Sequence, residues 1–161
     1  EKRSRLEVIP RFAIHRPRRR SAYARSGVIA CDTTRMKIDA IDHFVLYVRD
    51  IEATCAFYAK VLGMQPVTFG NGRRALAFGS QKINLHQVGR PHAPVADHPV
   101  GGAGDFCLLT SMPLAAVQRH LEDCAVDVFE GPVQRTGARG TLLSVYFRDP
   151  DGNLVEVSNY V

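Results

Sequence analysis

The sequence contains no long apolar run and no closely spaced pair of cysteines. No stretch approaches the roughly 20 apolar residues needed to cross a bilayer, which argues against a transmembrane protein and a membrane partner. The four cysteines, Cys31, Cys55, Cys107 and Cys124, are scattered without CxxC spacing, and two of them fall in predicted helices. This usage predicts buried thiols in a reducing compartment, and therefore a cytoplasmic protein.

A basic surface is also missing from most of the chain. The net charge of +5 comes from residues 1–35, which carry ten Lys or Arg against three Asp or Glu, whereas residues 36–161 carry eleven against thirteen. Because the globular part has no basic excess, its charge gives no reason to expect a nucleic-acid partner.

Residues 1–37 are predicted to be a disordered basic extension, since arginines and prolines interrupt any helical period. Three interpretations stay open. The segment could be a mitochondrial transit peptide, although Glu1, Glu7 and its prolines depart from that pattern. It could be a basic interaction tail. It could also be an extension that the folded domain does not need, because Met36 directly precedes the first predicted strand.

Residues 38–161 are predicted to form one domain of two similar modules. In the first, residues 38–88, the strand "IDHFVLYV" precedes the helix "IEATCAFYAKVLG", which Asp50 caps and Gly63 ends. The strands "MQPVTF", "RRALAF" and "KINLHQV" follow, with "GNG" as a hairpin turn. This order is a βαβββ module.

The same order returns in residues 104–161 after a linker rich in Pro and Gly. "GDFCLLT" is a predicted strand, Ser111 is expected to cap a helix starting with Pro113, and "VDVFEG", "TLLSVYF" and "NLVEVSNY" are three further strands. "DHFVL" and "GDFCLL" superpose with an offset of 62 residues, which aligns Asp105 with His43. The repeat predicts an α+β fold whose two sheets form a cupped mixed sheet around a shared cleft.

Candidate metal ligands follow from strand alternation. His43 in the first strand, Asn84 and His86 in the fourth, and Glu156 in the last lie on the polar sides of strands that are apolar on their other sides. Two imidazoles and one carboxylate suit a single divalent Fe, Mn, Ni or Zn ion with positions open for substrate. Taken singly, each histidine could be a hydrogen-bonded core residue, and Glu156 could pair with Arg148.

From Ile41 to Tyr160 the chain resembles the vicinal oxygen chelate superfamily of glyoxalases, bleomycin-resistance proteins and extradiol dioxygenases. "VLGM", "INLH", "HPV", "EGPV", "RTGARG" and "YFRDPDGNLVEVSNY" are similar to the glyoxalase domain-containing protein 5 subfamily. The resemblance implies paired βαβββ modules, one divalent metal ion and a homodimer. It also implies that His43 and Glu156 are the ligands of the first and last strands.

The remaining ligands stay open. The internal repeat aligns Asn84 with Glu156, but Asn is a weak ligand for these metals, so His86 on the same face is preferred. Asp105 stands where glyoxalase I and fosfomycin-resistance enzymes usually carry His. It could be a fourth ligand, a partner that orients an imidazole, or a surface residue.

The resemblance also implies chemistry in which a metal polarises adjacent substrate oxygens. Glu156 is then the expected base and Tyr146 an acid near the metal. Arg135 and Arg139, in a Gly-rich loop, suit an anionic small-molecule substrate.

We expect a metal-dependent lyase or isomerase of the glyoxalase type, or a fosfomycin-resistance-like enzyme. The alternatives are an extradiol dioxygenase, in which Arg139 would occupy the place of a catalytic His, and a ligand-sequestering protein like the bleomycin-resistance proteins.

Overall fold

The computed structural model describes residues 35–161, so the predictions for the basic leader and Cys31 fall almost entirely outside it. The elements follow the predicted order: β1 (His43–Val48), α1 (Ile51–Leu62), β2 (Gln65–Phe69), β3 (Arg73–Phe78), β4 (Gln81–Gln87), β5 (Asp105–Leu109), α2 (Leu114–Asp123), β6 (Val128–Gly137), β7 (Gly140–Arg148) and β8 (Leu154–Tyr160). The α+β fold class with two βαβββ modules is confirmed. Within residues 35–161, neither helix has the length and apolar character to span a membrane.

The two modules form four-stranded mixed sheets with the same strand order. The first sheet runs β1-β4-β3-β2 and the second β5-β8-β7-β6, and each has one parallel pair, β1 with β4 and β5 with β8. Val45 is registered with Asn84, and Cys107, 62 residues after Val45, is registered with Glu156. The structure therefore makes Asn84 the repeat equivalent of Glu156, while His86 lies two residues further along β4.

The two helices begin differently. The Asp50 side chain accepts hydrogen bonds from the backbone N–H groups of Glu52 and Ala53, at 2.9 and 3.0 Å, and so caps α1 as predicted. The cap predicted for α2 is wrong. Pro113 occupies the N-cap position without a side-chain bond, and Ser111 lies two residues too early for its hydroxyl to reach the first turn.

The strand β6 is longer than the predicted segment "VDVFEG". It continues to Gly137 and forms a hairpin with β7, so Arg135 lies on a strand and Arg139 in the turn, rather than both in a Gly-rich loop. Gly131 and Pro132 are typical of a loop in sequence. In the structure they lie where the β6–β7 register shifts, and such irregular sites accommodate Gly and Pro within a sheet.

The apolar faces of both sheets meet in a continuous core. One cluster joins α1 to the first sheet, and a second joins α2 to the second sheet. Val61 of α1 belongs to the second cluster, and the Phe57 ring lies 6.4 Å from that of Phe147, so α1 packs against both sheets. The opposite side of each sheet therefore faces away from this core. We call these sides the first polar face, on β1–β4, and the second polar face, on β5–β8.

The turn between β7 and β8 fastens the second module to α1. Asp149, 5% exposed, accepts hydrogen bonds from the Tyr58 hydroxyl at 2.9 Å, from the backbone N–H groups of Asp151 and Asn153, and from the Asn153 side-chain amide. Arg49, just after β1, donates from its backbone N–H and Nε to Asp151. Burial and the Asp149 charge raise the pKa of Tyr58, so its hydroxyl stays protonated and donates.

We expect Tyr58→Phe to destabilise the protein by about 1–3 kcal/mol, because a buried carboxylate loses one of its donors. Urea denaturation measures the change. Tyr47→Phe is the matched control, since no hydrogen bond to its hydroxyl is found among the described residues, and it should shift stability far less. Equal stability of the Tyr58 variant and the parent protein would contradict the role given to this bond.

Candidate functional site

A row of polar side chains crosses the second polar face. Glu156 on β8 lies opposite Cys107 on β5 and opposite Tyr146 on β7. Tyr146 is registered beside Glu156, and the Tyr146 hydroxyl accepts a hydrogen bond from Arg135 Nε at 3.1 Å. Arg135 in turn pairs with the Glu130 carboxylate. Predicted residues from three strands are therefore connected, and the row extends from Cys107 to Glu130.

Tyr146 is a proton donor in this row. Burial raises the pKa of Tyr146, the neighbouring Glu156 carboxylate raises it further, and Arg135 opposes both effects. A phenol with a raised pKa remains protonated near neutral pH. Tyr146 can therefore donate to a carboxylate or to a developing oxyanion.

Glu156 is half-buried and held from one side by hydroxyls. Its Oε1 accepts from Ser158 Oγ at 3.1 Å, and Ser158 Oγ lies 2.8 Å from Ser144 Oγ. Arg148 bonds to the Gly152 carbonyl oxygen instead of to Glu156. The alternative that Glu156 only pairs with Arg148 is therefore not supported, and Glu156 keeps acceptor capacity for another group.

The first polar face contains buried polar atoms that lack partners. Asn84 and His86 are only 8% and 7% exposed, and neither Asn84 Oδ1 nor His86 Nδ1 has a hydrogen-bond partner within residues 35–161. The His86 ring lies edge-on to Tyr47 and His92, with centroids 5.4 and 5.7 Å away. Burial lowers the pKa of His86, and the positive charges of His92 and Arg73 lower it further. The imidazole is therefore neutral near pH 7, the form that binds a metal ion.

His43 and Asp105 lie at matching places, at the starts of β1 and β5, and both are exposed. His43 Nδ1 lies 2.6 Å from Asp42 Oδ1, and this hydrogen bond lowers the pKa of Asp42. A carboxylate on one ring nitrogen fixes the orientation of an imidazole and leaves its Nε2 for another ligand.

The predicted ligands divide between the two polar faces. His43 and His86 lie on the first and Asp105 and Glu156 on the second, on opposite sides of the shared core. Across residues 35–161 no three His, Cys, Asp or Glu side chains approach closely enough to hold a metal ion. Donors of suitable chemistry are thus present without forming a closed set in one chain, and the metal site stays a prediction.

The arginines predicted to bind substrate have partners within the chain. Arg135 is engaged by Tyr146 and Glu130, and the Arg139 guanidinium stacks 4.6 Å from the centroid of the Tyr160 ring. Their role in substrate binding stays a prediction.

Sequence reasoning missed three residues around His86. Tyr47 and Arg73 could have been found from strand parity and register. His92 lies in the Pro-rich linker, where no periodic pattern locates a side chain.

The polar faces differ in charge. The strands β1–β4 contain no Asp or Glu, and Arg73 and Lys82 lie on the first polar face with His43 and His86. The second polar face carries Asp105, Glu130 and Glu156 against Arg135 and Arg148. The two faces are therefore complementary in charge.

Comparisons with known proteins agree with this architecture. Residues 40–157 match the model of the Glyoxalase/Bleomycin resistance protein/Dioxygenase superfamily. The chain is 49% identical over 130 residues to Virulence protein STM3117 of Salmonella typhimurium, covering 81% of this chain and 90% of that protein. It is 48% identical over 126 residues to Glyoxalase domain-containing protein RDO1 of Mycosarcoma maydis, covering 78% and 71%.

Solved structures extend the likeness. An integron cassette protein from the mobile metagenome of V. cholerae superposes with a TM-score of 0.77 at 54% identity, covering 79% of this chain and 99% of that one. A lactoylglutathione lyase from Agrobacterium tumefaciens superposes with a TM-score of 0.60 at 29% identity, covering 76% and 95%. The chain belongs to the Glyoxalase/Bleomycin resistance protein/Dioxygenase superfamily, whose members bind small molecules and include both enzymes and non-enzymes.

The buried His86 predicts a pH dependence of stability for the metal-depleted protein. Because the pKa of His86 is lower in the folded chain, the unfolded chain binds the proton more readily. Stability is therefore lost as the pH falls from about 6.5, the unfolded value, toward the folded value. Urea denaturation at pH values of about 7.5 and 5.5 should show this decline, and His86→Gln should show a smaller one.

The control is His98→Gln, which changes an exposed histidine and should retain the full decline. Identical declines in the parent protein and the His86 variant would exclude His86 as a source of the pH dependence.

Proposed function

We propose that this protein is a divalent-metal-dependent enzyme whose site forms between the first polar face of one copy and the second polar face of another. The observation that carries the proposal is the division of the candidate ligands between two faces of complementary charge that lie on opposite sides of one core. A homodimer in which each face meets its counterpart would bring the ligands together.

His43 and Glu156 would hold the ion, with a third ligand from Asp105, Asn84 or His86. Imidazole and carboxylate donors suit Fe, Mn, Ni or Zn, and the unpartnered Asn84 Oδ1 and His86 Nδ1 leave polar atoms available on the first polar face. When bound, such an ion would polarise adjacent oxygens of a small oxygen-rich substrate and lower the energy of the anion that develops.

The residues of the chain would supply the proton movements. Glu156 would accept a proton from the substrate carbon beside a hydroxyl and return it to the neighbouring carbonyl carbon, which isomerises the substrate without an external oxidant. Tyr146 would hold the Glu156 carboxylate in place and offer its proton to the developing oxyanion. The 29% identity to a lactoylglutathione lyase supports lyase or isomerase chemistry of this type.

Extradiol ring cleavage is less favoured. At the place where those enzymes carry a proton-transferring His, this chain has Arg139, whose guanidinium stacks on Tyr160 and does not shuttle protons.

Mixing two variants tests the shared site. His43→Ala and Glu156→Gln, each purified alone, should lose bound metal by elemental analysis. After subunit exchange, half of the dimers combine both variants and hold one site with both ligands intact. Metal content should therefore recover to about a quarter of that of the parent.

The control repeats the exchange with His43→Ala alone, which should recover nothing. If the parent binds one ion per chain, the single variants lose it and mixing restores none, the site lies within one chain and the shared-site proposal fails.

Turnover gives a second test. Glu156→Gln should lower kcat for hemithioacetal isomerisation by at least about 10²–10⁴-fold, since the general base is lost together with a metal ligand. Stability in urea should change little, because the side chain is only half-buried. Steady-state kinetics with a panel of hemithioacetals measures the effect. Equal kcat values would exclude Glu156 as the base.

A ligand-sequestering protein without metal is the second candidate. The observation that favours it is that the described part of one chain brings no three ligands together. If the parent protein stays empty after reconstitution with each of the four ions, this second function replaces the first.

A further inference from the structure

We propose that His86, His92 and Arg73 form a subsite on the first polar face for an anionic group of the substrate, a carboxylate or a phosphonate. The inference rests on the proposed function, because it specifies the ligand class of the same site. It assigns His86 to the anion, so that Asp105 or Asn84 would complete the ligand set of the metal.

His86 has the features of a ligand-binding residue. It is 7% exposed, and its Nδ1 is buried without a hydrogen-bond partner among the described residues. A buried polar atom without a partner costs free energy that a ligand can recover. His92, exposed on the linker, presents its ring 5.7 Å from that of His86 and adds a second imidazole to the same place.

The charges around His86 select the sign of the ligand. The charges that act on His86 come from the His92 imidazole, when it is protonated, and from the Arg73 guanidinium, and both are positive. The surrounding strands β1–β4 carry no Asp or Glu. The positive charges of Arg73 and of a protonated His92 would attract an anion to this point.

Aromatic stacking supports the cationic groups of this face. Arg73 and Lys82 both lie over the Phe69 ring, 4.6 and 3.9 Å from its centroid. Such stacking restricts the conformations of both side chains, so Arg73 loses less conformational entropy when it binds an anion. Arg73 is exposed at the start of β3 and is therefore accessible to a small molecule.

The arginines of the second polar face are poorer candidates. The Arg135 guanidinium is already paired with Glu130, which neutralises the charge an anion would seek. The anion subsite therefore belongs on the first polar face, opposite the carboxylates of the second.

Titration of the metal-depleted full chain with acetate and with methylphosphonate tests the subsite. NMR signals of the imidazole rings report binding at each histidine. We expect saturable shifts at His86 and His92, little change at His98, and none with acetamide, which has the shape of acetate without its charge. Arg73→Gln and His92→Asn should each weaken the apparent affinity roughly tenfold, and the matched His98→Asn should leave it unchanged.

Several outcomes would overturn the subsite. They are equal shifts with acetamide, unchanged affinity in both the Arg73 and His92 variants, and loss of bound metal in His92→Asn, which would make His92 act at the metal.

Elemental analysis of the same preparations separates this inference from the proposed function. A parent protein that binds the anions but no metal would contradict the metal-dependent enzyme and support the anion subsite. A parent protein that binds metal but no anion would contradict the subsite and support the metal-dependent enzyme.

Discussion

The hydrogen bond from Tyr58 to Asp149 fixes the relation of one module to the other. It joins the middle of α1 to the turn that precedes β8, and both groups are buried, so neither can exchange its partner for water without cost. With Arg49 bound to Asp151 on the same turn, α1 is held against the second sheet as well as the first. These bonds lie beside the place where α1 joins the apolar clusters of the two sheets.

A shared core determines what remains for function. Each sheet has one side committed to burying Val, Leu, Ile and Phe, and its other side is free to carry polar residues. The second module uses that side for a row that ends in Glu130 and contains Glu156. The first uses it for histidines and cations, and no other described residue bonds to the buried atoms Asn84 Oδ1 and His86 Nδ1. Unsatisfied atoms of this kind are rare in folded proteins, and a water molecule, an ion or a catalytic role commonly accounts for them.

The sequence patterns predict most of the local structure and less of the site. Capping by Asp50, the stop at Gly63 and the repeat offset of 62 residues rest on local chemistry, and the structure agrees with each. The extension of β6 was missed because Gly131 and Pro132 are common in loops and the register shift that accommodates them has no sequence signal.

Parity assigned Asn84, His86 and Glu156 to the polar sides of their strands. Strand alternation carries no information on how two sheets face each other, because that depends on contacts such as Tyr58 with Asp149, which are 91 residues apart. His92 could not be found for a similar reason, since its approach to His86 depends on the path of the linker.

The duplicated strand order has a consequence for assembly. Each chain carries one basic face and one acidic face, built on equivalent sheets. If both faces of one chain bind the same partner, the two interfaces form together and neither face remains exposed. The assembly is then closed at two subunits. If each face engaged a different partner, the same complementarity would propagate into an open chain. In the proposed dimer, the orientation of the two modules within one chain would therefore determine whether both faces can reach the same partner.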